Sequence, residues 1–115
     1  MPAPNLTVVL DREQLRDVTL NDDELMREAL GALIDDTTRQ IPLLQAAIRA
    51  GDAPATLRLA HYSKGACANL GAKAAAATLL HIERSAASGD FTGCAGSLAN
   101  LAAEIERLRA EEIPG

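Results

Sequence analysis

From Met26 to Ile48 a stripe of mostly apolar positions follows the helical period. Met26, Leu30, Leu33, Ile34, Thr37, Ile41, Leu44 and Ile48 repeat at the spacing of one helix face. A helix with such a stripe is held mainly by what it packs against. Phe91, Ala95, Leu98, Leu101, Ala102, Ile105 and Leu108 form a second stripe of the same period. Aromatic residues make up only 2% of the 115 residues, and tryptophan is absent. The core must therefore come from Leu, Ile, Val and the many alanines. Small side chains let helices approach closely, so the composition suits packed helices far better than a sheet.

The punctuation between the stripes predicts where each helix starts and stops. Residues 1–10 read as an extended lead-in, with Leu6, Val8, Val9 and Leu10 available to cover the core. Asp11 is a fair N-cap for a short helix to about Val18, with Glu13 and Gln14 in its first turns. Asn21-Asp22-Asp23-Glu24 combines a capping residue with acids that favour a helix N-terminus. The long helix then runs to Gly51. Pro42 inside it removes a backbone donor, which predicts a kink or break near Gln40 or Ile41. Asp52 or Ala53 caps the next helix, with Pro54 in its first turn. That helix reaches Leu70, and Gly71 can stop or bend it. An alanine-rich helix spans about Ala72 to Ser88 and ends at Gly89. Asp90 caps the last one, and residues 111–115 read as a frayed end. Short connections between long amphipathic helices imply antiparallel neighbours. The predicted fold is all-α: one domain over residues 1–115, an antiparallel up-down four-helix bundle with a short additional N-terminal helix.

Charge and composition narrow the function. The net charge is −5, with both signs interspersed. This argues against a nucleic-acid partner, which calls for a basic face, and against anionic membrane surfaces. No apolar run is long enough to span a bilayer, and Met1-Pro2-Ala3-Pro4-Asn5 does not read as a signal peptide, so a cytoplasmic location is expected. Cys67 and Cys94 lack metal-ligand spacing or companions. They read as small buried residues in a reducing compartment, and no metal site is expected in this chain.

One short segment carries chemistry. Ala60-His61-Tyr62-Ser63-Lys64-Gly65 places a histidine, a lysine and a glycine on one exposed strip, because Lys64 and Gly65 lie three and four residues after His61. A neutral imidazole nitrogen can attack an aspartyl phosphate in line. Such transfer needs mainly positioning and charge neutralisation, and Lys64 can supply the positive charge. Gly65 costs about 1 kcal/mol of helix propensity relative to alanine, a cost that makes sense where a partner must approach the backbone. Geometry selects one more residue. If the chain reverses at Gly71, His61 lies ten residues before the bend and Glu83 twelve after it. At about 1.5 Å per residue these are roughly 15 and 18 Å from the turn, so an antiparallel pair sets them nearly level. Glu83 also falls on the stripe Ala76, Leu79, Leu80, Glu83, Ala87, which should face the core. A carboxylate there can accept a hydrogen bond from one imidazole nitrogen and leave the other free. Taken singly, each of these residues has a plainer role as a surface charge or a packing contact; their joint spacing favours a site. His81 lacks a neighbouring Lys-Gly pair and reads as an exposed or packing residue.

The same segment, followed by Asn69-Leu70-Gly71-Ala72, resembles the phosphorylation-site signature of histidine-containing phosphotransfer (HPt) domains. The match is at Ala60, His61, Lys64, Gly65, Leu70, Gly71 and Ala72, and the helix layout matches over almost the whole chain. The resemblance implies that His61 takes a phosphoryl group from a receiver-domain aspartate and passes it to another receiver, as an intermediate in a multistep two-component phosphorelay. It implies no autonomous catalysis and no cofactor bound by this chain; the magnesium ion belongs to the partner receiver. Partners would be the receiver domains of response regulators and hybrid histidine kinases; separately, the short helices and the lack of a long heptad seam favour a monomer. Lys64 would neutralise phosphate charge and Glu83 would orient the imidazole. Leu57, Arg58, Gly65 and Ala68 would form the receiver docking surface. HPt domains usually carry an apolar residue two after the histidine, where this chain has Ser63. That position should face the core, and a serine there can hydrogen-bond back to its own helix. Tyr62 either flanks the docking surface or fills the space Ser63 leaves. Two other roles fit the same helices. One is a helical adaptor that binds receivers or a kinase without carrying phosphate, and the other is the phosphoacceptor module of a chemotaxis-type histidine kinase.

Overall fold

The computed structural model describes residues 8–111. Five helices form among the described residues, and no strand: α1 (Arg12–Val18), α2 (Asp23–Arg49), α3 (Ala53–Asn69), α4 (Lys73–Ala87) and α5 (Phe91–Arg109). Four of them start at an aspartate. Asp11, Asp22, Asp52 and Asp90 each accept the backbone N–H of the residue three further on, which satisfies an otherwise orphaned donor. The start of α4 has no side-chain cap. The lead-in segment takes over that role, because the Val8 carbonyl accepts the Ala74 N–H at 2.9 Å.

The long helices form a ring of neighbours. α2 packs on α3 and α5, α4 packs on the same two, and α1 rests on α2 and α3. Inside the ring, Met26, Leu30, Leu33, Leu44, Ile48, Leu79, Ile82, Leu101, Ile105 and Leu108 are joined by buried Ala60, Ala75 and Ala86. Leu15 of α1 is also buried, and Val9, Leu10 and Phe91 pack against the same cluster. Leu6 and residues 112–115 lie outside the described residues. Glu111 does not fray: its carboxylate pairs with Arg12 at 2.8 Å and so ties the end of α5 to α1.

Several expectations change in detail. α2 runs unbroken through Pro42. Pro42 and Thr38, whose carbonyl would have bonded to residue 42, are both exposed, so water can satisfy the freed acceptor. On α5, Ala95 and Ala102 are exposed, while Cys94 and Glu104 point inward instead. On α4, the buried face is Ala75, Leu79, Ile82 and Ala86, one position away from the expected stripe. Glu83 therefore sits on the flank of α4, and Ala87 is exposed. Both cysteines are buried and free, as their surroundings suggested. Burial pushes the Cys67 thiol up to about 11, despite a 3.9 Å contact to the Thr37 hydroxyl. It stays protonated and unreactive.

Two buried polar groups lack part of their pairing. Ser63 faces the core as expected, but its hydroxyl does not bond back to the helix and has no partner. Glu104 accepts the Thr78 hydroxyl at 3.0 Å on one oxygen, while the other is buried and unpartnered. Burial raises the Glu104 carboxyl above its ordinary range, with Thr78 and Arg107 opposing. A raised carboxyl stabilises the fold fully below its unfolded value and loses that contribution as pH rises through its folded value. Glu104→Gln should therefore raise the melting temperature by a few degrees at ~pH 7, and the gain should shrink towards ~pH 4. Thermal unfolding followed by circular dichroism at several pH values checks this; a gain independent of pH would contradict it. Ser63→Ala removes an unpaired hydroxyl and should stabilise by about 1 kcal/mol in urea unfolding. A loss of stability would show that the hydroxyl is paired in solution.

Candidate functional site

α3 has two opposite faces. Thr56, Ala60, Ser63 and Cys67 point inward and fix its rotation. Arg58, His61, Tyr62, Gly65 and Ala68 consequently face solvent. Leu57 and Lys64, one heptad apart, lie half-buried on the flank between these faces, and Leu57 also packs against the core. Tyr62 thus flanks the outer face and does not fill space beside Ser63. His81 is exposed on α4.

The end of α3 is held by a dense set of backbone contacts. Gly71 has φ +85, and a Cβ there would lie 2.6 Å from the Asp11 carbonyl oxygen. The Asp11 N–H donates to the Gly71 carbonyl at 2.8 Å, and Lys73 pairs with the Asp11 carboxylate at 3.1 Å. The Gln14 N–H and Lys73 hold that carboxyl below its ordinary range. Gln14 of α1 donates its side-chain amide to the carbonyls of Ala68 and Asn69, at 2.6 and 3.2 Å. The last turn of α3, including the backbone of Ala68, is therefore capped by α1. Only glycine fits the bend, and the bend fixes how α3 and α4 lie against each other.

With that register, three of the sequence-selected residues meet. Glu83 reaches from α4 to the boundary of α3. One of its oxygens, Oε2, lies 3.6 Å from His61 Nδ1, and the other, Oε1, lies 2.6 Å from Lys64 Nζ. The first distance is too long for a hydrogen bond, and the second is an ion pair without hydrogen-bond alignment. The carboxylate stands on the Nδ1 side of the imidazole and leaves Nε2 turned away from it. The His61 side chain is 75% exposed, against 27% for Lys64 and 17% for Glu83. The imidazole is thus open to solvent, while the two charges beside it are partly withdrawn from water.

The sequence did not announce that Lys64 is already engaged. The signal for it is the helix period: a carboxylate level with His61 is also within reach of the long side chain one turn on. Gly65 lies one turn beyond His61, and a Cβ placed there would meet nothing within 4 Å. Gly31 and Gly96 are equally open, so space alone does not distinguish Gly65; its place beside the histidine does. Among the described residues no group of three or more His, Cys, Asp or Glu side chains is placed to hold a metal ion. No described helix is long and apolar enough to cross a membrane.

Known proteins share both the sequence pattern and the fold. Among curated proteins, none matches the chain. Among solved structures, the crystal structure of histidine-containing phosphotransfer protein B (HptB) from Pseudomonas aeruginosa PAO1 superimposes with a TM-score of 0.80. The two are 27% identical, and the match covers 95% of this chain and 91% of that one. The Hpt domain family model matches residues 28–111, which include His61, Lys64, Gly65 and Glu83, and the chain belongs to that family.

Proposed function

We propose that the chain is a phosphohistidine intermediate in a multistep two-component relay. His61 accepts a phosphoryl group from a receiver-domain aspartate and delivers it to a second receiver. The observation that carries this reading is the open imidazole of His61 on the outer face of α3, with Glu83 and Lys64 gathered beside it, in a chain of the Hpt family.

The geometry supports an in-line attack by Nε2. Its lone pair forms the N–P bond as the P–O bond to the donor aspartate breaks, and the bonding electrons leave on that carboxylate. Delivery to the next receiver is the same step in reverse. Glu83, on the Nδ1 side, orients the ring and favours the proton on Nδ1. Lys64 offsets the charge of the phosphoryl oxygens. The chain holds the nucleophile in place and leaves the rest of the chemistry, including magnesium, to the receiver. It acts as a carrier without catalytic activity of its own. Arg58, Gly65 and Ala68, with Leu57 on the flank, form the surface that the receivers of response regulators and hybrid histidine kinases cover. The scaffold for this surface is an up-down antiparallel four-helix bundle with α1 as its additional helix, acting as a cytoplasmic monomer.

The test is transfer of labelled phosphoryl from a phosphorylated receiver domain. The wild-type chain should take up acid-labile, alkali-stable label, and His61→Gln should take up none while keeping its helicity. Label retained on the variant, at His81 for example, would overturn the site. A second variant tests docking. Gly65→Gln meets no neighbour in the fold, so it should stabilise the helix by about 0.5–1 kcal/mol. The same change should slow transfer by about tenfold or more, because the added side chain holds the partner off the helix. Equal transfer rates for both proteins would refute the docking role of Gly65.

A further inference from the structure

A lysine that neutralises phosphate should be free to reach it, yet the Lys64 ammonium already sits 2.6 Å from Glu83 Oε1. The same carboxylate presents Oε2 to His61 Nδ1 at 3.6 Å. One carboxyl group thus faces both the cation and the imidazole. We propose that Glu83 holds Lys64 in reserve, and that phosphorylation of His61 transfers the lysine from the Glu83 carboxylate to the phosphoryl oxygens. This rests on the reading of His61 as the phosphoacceptor.

The driving force is local charge. Before transfer, Glu83 is the nearest anion to Lys64, and both are partly buried, so their attraction is less screened than on an open surface. The ion pair lacks hydrogen-bond alignment, and no hydrogen bond holds Oε1 in place. A phosphoryl group on Nε2 brings close to two negative charges within a few ångströms of the same carboxylate. It repels Glu83 and competes for Lys64. The flexible four-carbon stem of lysine lets the ammonium swing without moving α3. Nδ1 keeps its proton through the step and turns towards Oε2, so Glu83 exchanges its lysine partner for the imidazole N–H. Glu83 is a positioning residue here, acting on the phosphoryl group through Lys64 and the ring. Its charge favours the unphosphorylated chain, which keeps the phosphoryl group ready to leave.

The equilibrium distribution of phosphoryl group between a receiver domain and this chain reads the effect directly. Glu83→Gln keeps a side-chain oxygen for Nδ1–H but releases Lys64. It should shift the distribution towards the phosphorylated chain by about two- to tenfold. In a Lys64→Gln background the same substitution should shift it by a clearly smaller factor, because there is no lysine to release. An unchanged equilibrium with slower approach from both sides would make Glu83 an orienting residue only. An equal shift in both backgrounds would mean that its charge acts without Lys64. Either result overturns the proposal while leaving the relay reading intact. A wild-type chain that takes no label from receiver domains or from phosphoramidate overturns both.

Discussion

The contact on which the rest depends is the meeting of Asp11 with Gly71. The carbonyl of Asp11 occupies the space where a Cβ at residue 71 would stand, and the Asp11 N–H closes the contact on the Gly71 carbonyl. Around it, Val8 caps α4, Lys73 pairs with Asp11, and Gln14 caps α3. Each bond is modest in net free energy, about 0.5–1.5 kcal/mol. Together they clamp the α3–α4 turn from outside. Because an α-helix advances a fixed distance per residue, a clamped turn fixes which residues lie level farther along. Glu83 meets His61 and Lys64 through that register, although neither touches the turn.

A second constraint is the size of the side chains between the helices. Ala60 on α3 and Ala75 and Ala86 on α4 are buried, and no aromatic residue holds these helices apart in the core of the ring. A short Glu83 side chain can therefore span from one helix to the polar groups of the next. Bulky residues at these positions would separate the backbones and open the carboxylate's contacts to water. The alanine content visible in the composition thus bears on the site as well as on the fold.

Much of this was legible in the sequence, and what was not has identifiable causes. Asp11, Asp22, Asp52 and Asp90 begin helices because capping is a contact within four residues. Gly51, Gly71 and Gly89 end helices in the left-handed conformation for a similarly local reason. The face of α4 was less legible, since Ala74 to Ala77 give no contrast between inside and outside. A stripe drawn through Ala76 and Glu83 is off by one position, and only packing against α3 and α5 settles the rotation. That same rotation leaves Glu83 on the flank, where a charge can stay partly hydrated. The buried Glu104 has no sequence signal, because an acid amid Ala102, Ala103 and Ile105 reads as a surface residue. Leu20, with φ 56 in the connection to α2, is equally silent, because leucine has no preference for that conformation.

Ser63, Glu104 and Gly65 each lower the stability of the chain, and their positions differ in what they can serve. Ser63 and Glu104 carry incompletely paired polar atoms inside the core, where no partner protein can reach them. Their effect is confined to the fold. Gly65 lowers helix propensity on the outer face of α3, next to the histidine and with open space above it. Replacing it by almost any residue would strengthen the helix without a clash, so packing does not explain it. A backbone left bare beside the proposed phosphoacceptor does have an explanation when the reaction needs a second protein to come close. In-line transfer requires the donor's phosphorus to reach Nε2 at contact distance, and every side chain on that face sets a limit to the approach. The loss of stability at Gly65 is therefore of a different kind from the losses at Ser63 and Glu104, and it falls on the face of α3 that the proposed function assigns to the receiver.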